Sequence, residues 1–177
     1  GLTFVTISPA AWKTMKERKT PIASFYANLM AFDGYFEKQW FPYTMPISDI
    51  RGLRTAFENI QADPDILGRH ARIAEAVRSA LTGCGLTLHT RDGWSNTVSV
   101  FDVPEGTTAS AILAALRTDY NLMLAGSFDV LEGQVIRIGH MGENAREEKV
   151  LAVMKALDGV MTKLGVTLSG SLEAAYT

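Results

Sequence analysis

With 177 residues, of which 47% are hydrophobic and 20% charged, the chain has the size and composition of a globular domain with a buried core. Its net charge of -2 and the lack of a basic cluster with interleaved aromatics argue against nucleic acid and membranes as partners. Cys84 is the one cysteine, so neither a disulfide nor a cysteine-rich zinc site is expected, and a reducing, cytoplasmic compartment is predicted. No apolar run approaches the ~20 residues that span a bilayer.

The first part of the chain is predicted to hold one strand followed by helices. Residues 2–7, LTFVTI, form a short apolar and β-branched run that is typical of a buried strand. Ser8 followed by proline is an N-cap pattern, which predicts a helix towards Arg18. An aromatic segment over residues 24–46, broken by glycine and prolines, is predicted to contain one short helix, and an amphipathic helix follows over residues 47–62.

The rest of the chain is predicted to contain a long helix and then a mixture of strands and helices. The long helix covers residues 64–82, where apolar residues such as Leu67, Ile73 and Val77 recur at spacings of three and four. Asn144, with Glu147 three residues on, is predicted to begin the last helix as a capping box. The elements between them are predicted as strands over residues 86–90, 97–103, 122–127 and 134–140 and a helix over residues 105–121.

This order of elements predicts the fold class and a division of the chain. A β-β-α-β-β-α unit makes a small, mostly antiparallel sheet covered by helices on one face, which is an α+β arrangement. We assign residues 1–62 to a leading strand with connecting helices and residues 63–168 to the small α+β domain. Residues 169–177 are set apart as a tail.

Arg137 is the most unusual residue of the pattern, because it lies within the apolar strand VIRIG. The alternation of a strand places it on the face opposite Ile136 and Ile138. If both faces are covered, its permanent charge needs a bidentate anionic partner. That partner is either an internal aspartate or glutamate, or the carboxylate of a ligand. The glycine-bounded turn over residues 139–142 favours the ligand, since glycines allow a close approach of the backbone.

The remaining chemically active side chains have simpler interpretations. His140 is a turn residue with a satisfied imidazole or, as the alternative, a proton carrier. His70 is expected to be a hydrogen-bonded core residue, His89 to face solvent and Cys84 to be an inert small residue. The histidines lack metal-ligand spacing, and neither a nucleophile elbow nor a phosphate loop is present, so neither a metal site nor a catalytic residue is predicted.

Several segments taken together resemble a known family. The segments are PYTMPISDIRGLRTAF, RHARIAEAVRSAL, TVSVFDVPEG and above all IRIGHMGENA. They are similar to segments of class V, fold-type I aminotransferases, which depend on pyridoxal 5'-phosphate. The resemblance is to the alanine–glyoxylate, serine–pyruvate and pyridoxamine–pyruvate group, and it extends to about Leu164. It implies the C-terminal half of such an enzyme, called α/β by family convention. Residues 1–62 would then be the strand and helices that continue from the large domain.

The resemblance also implies roles for particular residues. Arg137 would bind the α-carboxylate of the amino acid or 2-oxo acid. Thr44 would reach across a homodimer interface to the phosphate of the neighbouring subunit's cofactor. Phe41 stands where the alanine–glyoxylate enzymes have a tyrosine for that phosphate, and Tyr43 could substitute for it. The Schiff-base lysine of the family would precede the position of Gly1, so this chain alone is not expected to transaminate.

The function implied is transfer of an amino group from a small amino acid or amine, such as alanine or serine, to a 2-oxo acid such as glyoxylate or pyruvate. The alternative is a non-catalytic domain that binds small carboxylates or mediates dimerisation. In that case the aromatic segment over residues 25–43 would form its interface.

Overall fold

A computed structural model describes residues 2–177 and divides the chain into a first unit that ends at Pro64 and a second unit, Asp65–Thr177. The first unit contains two helices, α1 (Pro9–Lys16) and α2 (Ile47–Ala62), and a 3-10 turn at Leu29–Phe32. Ser8 caps α1 as predicted, because its hydroxyl accepts a hydrogen bond from the N–H of Ala11 at 3.2 Å.

The strand predicted over residues 2–7 does not form, and this prediction is wrong. These residues lie outside any β-ladder in the described part of the chain. A strand is stabilised by hydrogen bonds to a neighbouring strand. An apolar, β-branched run indicates a segment suited to such pairing, but it does not provide the partner. Among the described residues up to Pro64, none is buried, so this unit has no core of its own.

The second unit holds the core. Its helices are α3 (Ile66–Gly83), α4 (Ala109–Tyr120), α5 (Glu147–Lys163) and α6 (Leu172–Tyr176), and its strands are β1 (Val98–Asp102) and β2 (Val135–Gly139). A helix-rich unit with a small antiparallel sheet confirms the predicted α+β class. No helix within residues 2–177 has the length and apolar character needed to cross a membrane.

The sheet has a two-stranded centre and two weakly paired edges. β1 and β2 are antiparallel, with Val100 opposite Arg137. The predicted outer strands each contribute only one bridge, Leu88 to Phe101 on one side and Ala125 to Arg137 on the other. Each outer segment has a neighbouring strand on one side only. A central strand has hydrogen-bond partners on both sides, and the outer segments lack this second set.

The two faces of this sheet have different environments. Phe101 of β1 and its opposite residue Ile136 of β2 are fully buried. Successive side chains in a strand point to opposite faces, so Arg137 points away from this core. The core continues through buried residues of the helices, among them Val77, Leu81, Ile112, Leu116, Leu157 and Met161.

Two local predictions about helices need correction. Leu67 was assigned to the buried face of α3, but it is 83% exposed, because the helix begins only at Ile66 and its buried face starts further on. Asn144 does not cap the last helix. It ends a 3-10 turn, Gly142–Asn144, in which its own N–H donates to the Met141 carbonyl, and α5 begins at Glu147.

The last nine residues, set apart as a tail in the sequence, contain α6. Its start is held by Asp158 of α5, whose carboxylate accepts hydrogen bonds from the Ser171 hydroxyl at 2.7 Å, the Leu172 N–H at 2.8 Å and the Glu173 N–H at 3.0 Å. Leu172 is fully buried. The three bonds therefore place the apolar side of α6 against the core.

Replacing Asp158 with alanine is expected to lower the free energy of unfolding by about 2 kcal/mol, since three donors at the start of α6 lose their acceptor. Urea denaturation followed by circular dichroism would measure this. Asp92→Ala, in an exposed turn, is the matched control and should change stability by less than about 0.5 kcal/mol. Equal losses in the two variants would show that Asp158 does not anchor α6.

Candidate carboxylate-binding site

The backbone of Arg137 is fixed on both sides of β2. On one side it lies opposite Val100 in the ladder. On the other side its N–H donates to the Ala125 carbonyl at 2.7 Å, and the Ala125 N–H donates to its carbonyl at 3.3 Å. A residue paired on both edges cannot shift without breaking the sheet, so the Cα–Cβ direction of Arg137 is set by the fold.

The guanidinium of Arg137 is oriented by a backbone carbonyl. Its Nε donates to the Gly126 carbonyl at 2.6 Å. The ring centroid of Phe128 lies 6.0 Å from Cζ, within the range of a cation–π contact. Within residues 2–177, no aspartate or glutamate forms an ion pair with this guanidinium. The internal-acid alternative therefore has no partner in the described chain.

Arg137 opens into a cleft of about 440 Å³. Its walls are the outer face of the sheet around Val98, the edge segment at residues 123–125, and the loop over residues 139–144 that follows β2. Arg137 is the charged residue among the described residues that line this cleft, and most of the others are apolar. A fixed cation in a small, largely apolar cleft suits a small carboxylate, because the guanidinium fork matches the two carboxylate oxygens.

The loop over residues 139–144 is anchored to the start of α3. The Gly142 N–H donates to Nε2 of His70 at 3.1 Å, and His70 Nδ1 lies 2.6 Å from the Ile66 carbonyl. Arg69, the preceding residue, donates from Nε to the Ala145 carbonyl at 2.8 Å. His70 is 8% exposed, which confirms the prediction of a hydrogen-bonded core histidine.

His140 points into the core, away from the Arg137 cleft. It is fully buried, and its Nε2 lies 2.9 Å from the Ser99 hydroxyl. Burial lowers the pKa of His140, a shift that the carbonyls of His140 and Asn96 oppose and the charge of Arg78 reinforces. Of the two ring nitrogens, only Nε2 has a hydrogen-bond partner among the described residues, while Nδ1 is buried without one, so the prediction of a satisfied imidazole holds only for Nε2.

The lowered pKa of His140 predicts how stability depends on pH. In the unfolded state the His140 imidazole takes up a proton near its ordinary pKa of 6.5, whereas in the folded state it is protonated only at a lower pH. The free energy of unfolding should therefore fall as pH decreases below 6.5, by at most about 1.4 kcal/mol per pH unit for one proton. Urea denaturation between pH 7.5 and 5.5 should show a shallower fall for His140→Asn than for the wild type. A wild-type slope in His140→Asn would contradict the assignment.

Tyr43 and Thr44 lie in the first unit, whereas Arg137 lies in the second. The Tyr43 hydroxyl donates to the Phe25 carbonyl at 2.9 Å, and its ring contacts those of Phe25 and Phe41. Thr44 is exposed. Its hydroxyl is therefore accessible, while that of Tyr43 already has an internal acceptor.

The sequence did not reveal one contact of Arg137. Phe128 supplies its ring, although it lies in a loop that carries no motif. A glycine followed closely by an exposed aromatic was the one available signal, and many loops show it.

Elsewhere in residues 2–177, no group of three or more histidine, cysteine, aspartate or glutamate side chains could hold a metal ion. Burial raises the pKa of the Cys84 thiol, in keeping with an inert residue.

Comparison with known proteins places this cleft in a wider context. No family model matches the chain. The chain is 34% identical to the soluble hydrogenase small subunit of a Synechococcus species, over 94% of this chain and 43% of that protein. It is 31% identical to the pyridoxamine–pyruvate transaminase of Mesorhizobium japonicum, over 99% of this chain and 46% of that protein.

The fold agrees with these sequence relationships. The crystal structure of pyridoxamine–pyruvate aminotransferase from Mesorhizobium loti superposes with a TM-score of 0.84 at 29% identity, covering 96% of this chain and 45% of that one. The chain thus spans about half the length of the relatives that it matches, an extent consistent with a C-terminal half. Nearly all of the chain is therefore homologous to class V pyridoxal-phosphate-dependent aminotransferases.

Proposed function

We propose that this chain acts as part of a pyridoxal-phosphate-dependent aminotransferase, in which Arg137 binds the carboxylate of the substrates. The reaction would transfer an amino group from a small amino acid or amine, such as alanine or serine, to a 2-oxo acid such as glyoxylate or pyruvate. The observation that supports this most is the guanidinium of Arg137, which opens into a cleft without an acidic partner in the described chain.

A fixed cation suits this reaction because its carboxylic substrates share one group. An amino-acid donor and a 2-oxo acid acceptor both carry a carboxylate next to the reacting carbon. A guanidinium held through Nε by the Gly126 carbonyl still has its two Nη groups to donate to that carboxylate. The substrate would then be held at one end by Arg137, with the reacting carbon beyond it.

The residues present fit the phosphate of the cofactor in part. Bound pyridoxal phosphate would supply the electron sink that amino transfer requires. The exposed hydroxyl of Thr44 could donate to the phosphate. Tyr43 could do so only by giving up its hydrogen bond to the Phe25 carbonyl. We assign Thr44 the main role in binding the phosphate and Tyr43 a secondary one. We expect a homodimer in the cytoplasm, in which this phosphate contact is made across subunits.

An amino-transfer assay tests the proposal. Full-length protein, pyridoxal phosphate, alanine and glyoxylate should yield pyruvate and glycine in equal amounts, measured by mass spectrometry, and serine or pyridoxamine should be tried as other donors. Carboxylate binding without any transfer would favour the alternative of a non-catalytic carboxylate-binding domain. If the protein neither binds carboxylates nor transfers amino groups, the proposed function and the alternative are both contradicted.

A further inference from the structure

We infer that His70 is a positioning residue for the carboxylate site, because its neutral imidazole holds the loop over residues 139–144 beside Arg137. The inference depends on the proposed function and adds a residue that does not line the cleft. It is based on the bond between His70 Nε2 and the Gly142 N–H, which joins α3 to the loop across 72 positions of sequence.

The two partners of His70 determine where its proton lies. The Ile66 carbonyl can only accept a hydrogen bond, so Nδ1, at 2.6 Å, must carry the proton. The Gly142 N–H can only donate, so Nε2, at 3.1 Å, must present its lone pair. The imidazole is 8% exposed, and water has little access to replace either partner. His70 is thus a neutral Nδ1–H tautomer with a directed acceptor.

The loop that His70 holds forms one wall of the Arg137 cleft. Gly139, Met141 and Asn144 all line it, and Gly142 lies between them with a positive φ of 55°. The Gly142 N–H points back to α3, so the peptide before it is fixed in orientation. The bond from Arg69 to the Ala145 carbonyl fixes the end of the loop but not its middle. Without the acceptor on His70, Gly142 would lose its hydrogen bond to α3, and the Lys149 Nζ that donates to the Glu143 carbonyl at 2.7 Å would hold the middle of the loop from α5 alone.

This arrangement differs from that of His140, the other buried histidine near the strand end. His140 bonds to Ser99 within the sheet, so its loss would weaken the fold. His70 bonds to a backbone group of the loop itself. Its loss should therefore alter substrate binding more than the chemical step.

Two amide variants separate the acceptor role from general packing. In His70→Gln the side-chain oxygen can reach the position of Nε2 and still accept from Gly142. In His70→Asn the shorter side chain can still donate to the Ile66 carbonyl but cannot reach Gly142. We expect His70→Asn to raise the KM for pyruvate or glyoxylate by roughly tenfold with kcat within about threefold, and His70→Gln to restore the KM to within about threefold of the wild type.

Two further measurements do not depend on turnover. The Gly142 amide should exchange with solvent faster in His70→Asn than in the wild type or in His70→Gln. In the wild type, nitrogen NMR of the imidazole should show the proton on Nδ1 and a free lone pair on Nε2. This last measurement keeps the inference testable even if His70→Asn does not fold, because a proton on Nε2 would overturn it.

The results distinguish this inference from the proposed function. Suppose that the wild-type protein transfers amino groups and that Arg137→Ala raises KM. If His70→Asn then keeps both the wild-type KM and a slowly exchanging Gly142 amide, the role of His70 is wrong and the proposed function stands. A rise in KM that is equal in His70→Asn and His70→Gln would also overturn it, since packing alone would explain the change. If the wild-type protein shows neither transfer nor carboxylate binding, the proposed function itself fails.

Discussion

Replacing Arg137 with alanine is expected to raise the KM for the 2-oxo acid by about a hundred- to a thousandfold, since the carboxylate loses a partly desolvated, bidentate partner. Such a loss is larger than that of any single surface ion pair, because the cleft around Arg137 is mostly apolar and its lining within residues 2–177 offers the carboxylate no second cation. Steady-state kinetics of the full-length enzyme with pyruvate or glyoxylate would measure it.

Two variants serve as controls for this result. Arg137→Lys keeps the charge but loses the planar fork and the bond to the Gly126 carbonyl, so an intermediate KM is expected. Arg117→Ala removes an exposed arginine from the end of α4 and should leave the KM unchanged. A wild-type KM for Arg137→Ala, or an equal rise for Arg117→Ala, would contradict the assigned role.

Replacing Phe101 with alanine is expected to have the largest effect on stability, a loss of about 4 kcal/mol in the free energy of unfolding. Phe101 is fully buried in β1, opposite Ile136, and the smaller side chain would leave a cavity between sheet and helices. Chemical denaturation followed by circular dichroism would measure this loss.

Phe128 provides the matched control, because it is the same residue type at 68% exposure. Phe128→Ala should change the free energy of unfolding by less than about 0.5 kcal/mol. Its contact with the guanidinium of Arg137 predicts only a modest change in carboxylate affinity, about threefold. Similar losses of stability in the two phenylalanine variants would mean that the sheet face at Phe101 is not the core.

The orientation of Arg137 could be predicted from sequence because a strand alternates its side chains with a period of two. Ile136 and Ile138 are both buried, and Arg137 lies on the other face. The helix start that carries a side-chain cap was also predictable, as Ser8 shows. In both cases the information is local, so it is present in a few neighbouring residues.

Features that depend on distant partners could not be predicted. His70 was recognised as buried from its position on α3, but its bond to Gly142 depends on how the loop packs. Residues 2–7 have the composition of a strand and lack a neighbouring strand in the described chain. Asn144 has the sequence of an N-cap, yet its backbone is engaged in the preceding turn.

The resemblance to aminotransferases supplied what local reasoning could not. It singled out Arg137 for the substrate carboxylate, and Thr44 and Tyr43 for the cofactor phosphate of a neighbouring subunit. Homology confirms the family that was named, and the geometry around Arg137 supports a carboxylate there. The roles of Tyr43 and Thr44 and the domain limits at residues 62 and 168 stay predictions.

A crystal structure of the full-length protein with bound pyruvate would test the central claim most directly. The account predicts the two carboxylate oxygens at about 2.7–2.9 Å from guanidinium nitrogens of Arg137, with the Nε bond to the Gly126 carbonyl kept. A carboxylate bound elsewhere, with Arg137 in contact with a protein acid or with bulk solvent alone, would contradict it.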